Sequence, residues 1–99
     1  MANTNDGKIV KIDTWSSDIE LFTVPITVKK IVLYSATAGD LFYVEDKNGN
    51  QIALVAQTVS ATTTELDFGD EGIRFNGLQV DVSDCTGLGA GDLAWIYLK

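Results

Sequence analysis

Along the whole chain, apolar runs of five to nine residues alternate with clusters of Gly, Asn, Asp, Ser and Thr, and no window holds a helical period for three turns. A chain punctuated this often cannot build helices of ordinary length, but it suits short strands joined by tight turns. The residue types agree: 10 Thr, 9 Val and 8 Ile fill 27 of the 99 positions, and β-branched side chains pack best on a pleated surface. A chain of 99 residues supplies one hydrophobic core. The expected fold is all-β, a single-domain antiparallel β-sandwich or small β-barrel of seven or eight short strands over residues 8–99, with residues 1–7 as a flexible N-terminal arm.

Strands are expected at about 8–14, 20–24, 27–35, 41–46, 51–57, 64–68, 78–82 and 93–98. The clearest local signal is Asn48-Gly49 between two apolar runs, which predicts a hairpin with the positive φ angles of a type I′ turn. Ala38-Gly39-Asp40 and Gly69 to Gly72 mark two further connections, and Asn76-Gly77 marks a tight turn or a bulge. The one proline, Pro25, points to a corner or an edge strand where no ladder donor is needed. Within Val28-Lys29-Lys30-Ile31 the apolar parity switches, which predicts a bulge or Lys30 turned outward at an edge. Gly87-Leu88-Gly89-Ala90-Gly91 precedes a strand rather than a helix and lacks a following Lys-Ser or Lys-Thr, so it reads as a flexible connector and not as a phosphate loop.

Charge and missing residue types narrow the chemistry. Fourteen Asp and Glu against seven Lys and Arg give a net charge of −7, which disfavours sequence-independent nucleic-acid binding and docking on anionic lipid. Histidine is absent and Cys85 is the single cysteine, which removes Ser-His and Cys-His catalysis, the commonest zinc ligand and any internal disulfide. Cys85 reads as a small buried or half-buried residue. No transmembrane helix or leader is expected, since nothing approaches the roughly 18 apolar residues of a span.

Acidic clusters are the remaining chemical candidates. Asp46-Lys47-Asn48-Gly49-Asn50 opens like a calcium loop, but Gln51 and Gln57 stand where an EF-hand needs glycine and glutamate, so the hairpin explains the same residues. Glu65, Asp67, Asp70 and Glu71 crowd a strand end and could hold a hard cation if the loop folded back, joined by Asp81, Asp84 or Asp92 only through the fold. Solvated charge on a strand and turn is the simpler reading. Carboxylate pairs of the kind glycosidases use arise by chance among fourteen acids, and no residue is assigned a catalytic role, a cofactor or a metal.

Nine aromatics are too many to ignore, and most must fill the core of so small a domain. In the last strand Leu93, Trp95 and Tyr97 share one face and Ala94, Ile96 and Leu98 the other, so both faces are apolar. The runs Ile31 to Tyr34 and Ile52 to Ala56 repeat this pattern. Central strands of a closed barrel would explain it, and so would an outer face that meets another chain.

The order Lys29-Lys30-Ile31-Val32-Leu33-Tyr34, Ala36-Thr37-Ala38-Gly39-Asp40, Val44-Glu45-Asp46 with Asn48-Gly49-Asn50 and Ile52, Gly77-Leu78-Gln79-Val80 and the abrupt ending Leu93 to Lys99 resembles the small all-β structural proteins of tailed bacteriophages. These include capsid decoration, or cement, proteins and head or tail accessories, and the likeness covers about residues 26–99. It implies a non-enzymatic virion protein on the particle surface, made in the host cytoplasm. Such a protein would bind the major capsid protein or another virion protein as a symmetric homo-oligomer, with a trimer favoured. Contact residues expected on this view are Thr4, Asn5, Trp15, Pro25, Trp95 and Tyr97. The competing expectation is a small carbohydrate-binding or adhesion module, tail-associated and calcium-dependent, using Trp15 as a stacking surface and Asp67, Asp70 and Glu71 as ligands.

Overall fold

Seventeen residues, Ile19–Ser35, form one continuous strand, β3. At about 3.3 Å per residue a straight strand of this length would run some 55 Å, yet the molecule measures only 32 × 27 × 24 Å. The strand must therefore bend, and it does so at irregular steps in its pairing. The computed structural model describes residues 4–5, 9–15, 19–82, 85–89 and 91–99.

The other strands are β1 Thr4–Asn5, β2 Ile9–Ile12, β4 Leu41–Glu45, β5 Gln51–Ala56, β6 Thr62–Asp67, β7 Ile73–Val80 and β8 Leu93–Leu98. All pairs are antiparallel, in the order β1-β2-β8-β3-β7-β4-β5, with β6 also on β3. The C-terminal half of β3 lies between β8 and β6, whereas its N-terminal half pairs with β7, which leads on to β4 and β5. One long strand thus belongs to two arms of a sheet that curls into a half-barrel. The expected all-β class holds among the described residues.

Inside the curl, Val10, Ile12, Ile31, Leu33, Phe42, Val44, Leu78 and Ile96 are fully buried. Their spacing is the strand period: β8 alternates half-buried and buried along its length, with Ala94, Ile96 and Leu98 inward. Where β3 meets β8, Val28 faces Leu98 and Lys30 faces Tyr97, so Lys29 is the extra residue of a bulge. This is the parity switch read in the sequence.

Several local expectations are corrected. The strands expected at 20–24 and 27–35 are one, with Pro25 inside it. Proline is tolerated there because this half of β3 is paired with β7 alone and Pro25 is exposed at the open edge, next to a register shift. Strand β7 starts at Ile73 rather than Leu78, so Asn76-Gly77 sits within it as an irregularity and not as a turn. Gly77 is buried with φ +89°, and a Cβ there would stand 2.7 Å from Lys47 Cβ and 3.0 Å from the Phe22 carbonyl oxygen. The β4–β5 hairpin exists, but its loop is the five residues 46–50 and Gly49 alone of the Asn48-Gly49 pair has positive φ, +84°. Asp46 dictates the longer loop by receiving the amides of Asn48 (2.9 Å) and Asn50 (3.0 Å) on one carboxylate oxygen.

Candidate functional site: the outer face of strand β8

Two rows of side chains cross the outside of the sheet. In the first, Lys11 of β2 lies opposite Trp95 of β8, Trp95 opposite Val32 of β3, and Val32 opposite Glu65 of β6. In the second, Ile9 faces Tyr97, Tyr97 faces Lys30 and Lys30 faces Asp67. Leu93 and Tyr34 extend the patch as a further cross-strand pair. The face is apolar at its centre although Ala94, Ile96, Ile31 and Leu33 already supply the core from the opposite side of the same strands. Trp95 and Tyr97 are half-buried by their neighbours, and Val32 is only 8% exposed in the middle of its row. Side chains of this face shade one another, as cross-strand pairs do.

Charges are laid over the aromatics. The Lys30 ammonium sits 4.9 Å from the Tyr97 ring centre and 3.5 Å from a Glu65 carboxylate oxygen. Such exposed contacts contribute only about 0.5–1 kcal/mol each, so they orient Lys30 more than they stabilise the fold. No salt bridge joins Lys11 to a described residue. At the end of this face the β3 bulge and the β6–β7 turn form an open cleft of about 220 Å³, with Lys29, Lys30, Asp67, Asp70 and Tyr97 in its walls. Ligand pockets usually span about 300–1,000 Å³, and this cleft is smaller and polar.

A second polar assembly closes one end of the half-barrel. Buried Asp92 receives the amides of Ala36 (3.1 Å) and Gly89 (2.9 Å) on its two carboxylate oxygens, while its backbone carbonyl receives the Trp15 indole N–H at 3.0 Å. Ser35 donates to the buried Asp40 carboxylate, which packs against Gly87. Gln57, 1% exposed, donates to the carbonyls of Ser35 (2.9 Å) and Thr62 (2.6 Å) and accepts from Thr64 at 2.7 Å. Each of these groups is spent on backbone or side-chain partners, which is the pattern of structural buried polar residues. The glycine-rich segment expected to be a free connector is instead tied down by Asp92 and by the mutual backbone bonds of Leu41 and Thr86. Sequence reading missed this assembly, although Ser35 and Gln57 occupy inward-parity positions after Ile31-Leu33 and Ala53-Val55.

The expected contact residues separate. Trp95 and Tyr97 lie together on the outer face of β8. Thr4 and Asn5 form β1, in register with Lys11 and Val10; the rest of the expected arm, residues 1–3 and 6–7, lies outside the described residues. Pro25 is exposed on β3, beside Val24 at 59% exposure. Trp15 must be corrected: it is 7% exposed, packed edge-on to Phe42 at 5.6 Å, with its indole N–H used internally, so it offers no stacking surface. Apolar burial outweighs exposure for so large a side chain in a small core.

Of the acidic candidates, Asp67 and Asp70 line the same small cleft, while Glu65 and Glu71 pair with lysines. Asp67 receives the Gly69 amide at 2.7 Å, whereas Glu71 pairs with Lys99 at 3.2 Å. Among the described residues no three acidic or sulfur groups converge to hold a metal; Asp84 lies outside them. Asp46 is held below the ordinary aspartate value of 3.8, first by the hydrogen bond from the Asn50 side chain and then by the Asn50 backbone amide. It serves the turn. Cys85 is half-buried, its sulfur receiving the Tyr43 amide at 3.4 Å.

Fold and site together define a small all-β half-barrel whose sheet carries apolar side chains on both faces. No family model, curated protein or solved structure matches the chain.

Proposed function

We propose that this chain is a non-enzymatic structural protein of a tailed-bacteriophage virion, most specifically a capsid decoration protein that binds the assembled head lattice as a symmetric homo-oligomer. The observation that carries the reading is the outer face of β8, where Leu93, Trp95 and Tyr97 stand beside Val32 and Tyr34 although the inner face alone fills the core. A patch of that kind is characteristic of a contact surface. Val24, beside Pro25, and Ile73, opposite Val28, add exposed apolar side chains on the β3–β7 arm, at 59% and 45% exposure. The resemblance in order of segments supplies the phage context.

The mechanism would be linkage. A protein that binds the assembled lattice and not its free subunits adds its binding free energy to the particle, and occupancy at about 100 times Kd is worth about 2.7 kcal/mol per site. The test is sedimentation with capsids stripped of their accessory proteins, followed by heating of the loaded particles. Saturable co-sedimentation and a higher rupture temperature are expected. A chain that stays in the supernatant at every concentration overturns the proposal.

A further inference from the structure

The outer face of β8 has a charge layout that selects its own partner. Its first row runs Lys11, Trp95, Val32, Glu65 across four adjacent strands, a cation at one flank, an anion at the other and apolar side chains between. Strands about 4.8 Å apart place the two flanks some 14 Å from each other. A two-fold axis lying in the interface, parallel to the strands and between β8 and β3, maps each flank onto the opposite one. Lys11 of one copy then meets Glu65 of the other, twice, while Trp95 meets Val32. In the second row the same axis brings Tyr97 over Lys30, the pairing that already exists within the chain at 4.9 Å, and Ile9 over Asp67, so the reciprocal charge pairing belongs to the first row. An axis running across the strands would oppose Lys11 to Lys11 and Glu65 to Glu65.

From this self-complementarity we infer that the chain forms a two-fold dimer through the outer face of β8, with reciprocal Lys11–Glu65 contacts flanking Trp95 and Val32. The inference rests on the reading of this face as a contact surface and names its occupant, a second copy. Isologous contact through one patch gives a dimer, not the trimer expected from sequence, because a three-fold needs two different patches. Curvature favours the same arrangement: the bulky apolar centres touch first, and the flexible Lys and Glu side chains reach across the gap that opens toward the flanks. It also leaves the Val24 and Pro25 region free for a lattice.

Four strands by about five residues make a flat patch of roughly 300 Å², well under the 800 Å² of accessible surface that a standard interface buries on each partner. The dimer is accordingly weak and concentration-dependent. Light scattering and sedimentation equilibrium on the full chain from about 1 µM to 1 mM should follow a monomer–dimer curve. Lys11→Glu alone and Glu65→Lys alone each turn two attractions into two repulsions and should weaken self-association at least about tenfold. Mixed in equal amounts, the two variants can form a heterodimer in which both contacts are attractive, so dimer should return. Acrylamide quenching of Trp95 in the wild-type chain gives a reading that needs no variant, with protection at high concentration and access on dilution.

A wild-type chain that stays monomeric throughout overturns the inference. So does a trimer, single variants that associate like wild type, or a mixture that fails to recover dimer while circular dichroism shows both variants folded. None of these measurements involves capsids. A dimer that ignores capsids refutes decoration and leaves this interface standing, and a monomer that binds capsids does the reverse.

Discussion

Asp92 is the residue on which the closed end of the half-barrel should be tested. It is 6% exposed, and each of its carboxylate oxygens receives a backbone amide, from Ala36 in the β3–β4 connection and from Gly89 in the glycine-rich segment. Asp92→Ala removes both acceptors and leaves two N–H groups without them. Ala36 is exposed and Gly89 half-buried, so water can reach the freed amides and the cost is that of two lost hydrogen bonds, about 0.5–1.5 kcal/mol each and about 1–3 kcal/mol for the pair. Asp92→Asn keeps one acceptor oxygen and presents an NH2 group to the other amide, so its cost should be about 0.5–1.5 kcal/mol. Urea denaturation at neutral pH reads both numbers, and melting should fall by about 4–8 °C for each kcal/mol in a domain of this size. Amide hydrogen exchange adds a local reading: Ala36 and Gly89 should exchange faster in Asp92→Asn than in wild type while the β3–β8 ladder stays protected. A loss of less than about 0.5 kcal/mol in Asp92→Ala, the range of an ordinary surface change, would refute the claim that this carboxylate fastens the two segments.

Other perturbations test separate parts of the argument. Trp15→Phe keeps most of the packing on Phe42 but leaves the Asp92 carbonyl without the indole donor, so a loss of about 1–3 kcal/mol is expected in the same urea assay. Glycan-array binding that disappears in Trp15→Phe without a loss of stability would contradict its place in the core. Gly77→Ala forces a side chain into φ +89° and to within 2.7 Å of Lys47 Cβ; at least about 1–2 kcal/mol should be lost from the backbone strain alone. Thermal melting that matches wild type would show that β7 and the β4–β5 loop do not approach this closely. Because folding holds the Asp46 pKa below 3.8, its contribution is present above the unfolded value and is lost as pH falls through the lower folded value. NMR on acidification should then show the Asn48 and Asn50 amides losing their Asp46 partner below the ordinary aspartate range, and a midpoint at or above 3.8 would count against the carboxylate as their acceptor.

Much of the fold was legible because period-two patterning is a local signal. The order of residues alone put Ala94, Ile96 and Leu98 on one face of the last strand, without saying which face is inward, and marked the switch at Val28 to Ile31 as a bulge or an outward Lys30. What could not be read was which strands bend and which join. Nothing local distinguishes two strands flanking Pro25 from one strand that continues past it, since the difference lies in β7 lying alongside. Trp15 failed for a related reason: its neighbours in sequence are polar, and its packing on Phe42 and bond to Asp92 span 27 and 77 positions. The outer face was half legible. Trp95 and Tyr97 follow from alternation, but the flanking Lys11 and Glu65 become part of the patch only through the strand order β2-β8-β3-β6.

The exposed edges bear on how such a chain can associate. A half-barrel keeps free strand edges, which ordinarily invite strand addition. Here β6, one of the outer strands, places Glu65 and Asp67 on its exposed side, and the open stretch of β3 holds Pro25, which has no N–H to donate. Charged side chains and proline are the usual protections of an edge against pairing with another chain. The outer face of β8 is less protected: Trp95, Val32 and Tyr97 lie at its centre with Lys30 over the Tyr97 ring, and Lys11 and Glu65 stand at the flanks where they can meet opposite charges. At β6 and the open stretch of β3, edges that resist backbone pairing stand beside a face that presents side chains, which favours association by face over association by edge there, whereas β5, Gln51–Ala56, carries no charge or proline. Face contacts close on themselves under a two-fold, whereas added strands can propagate.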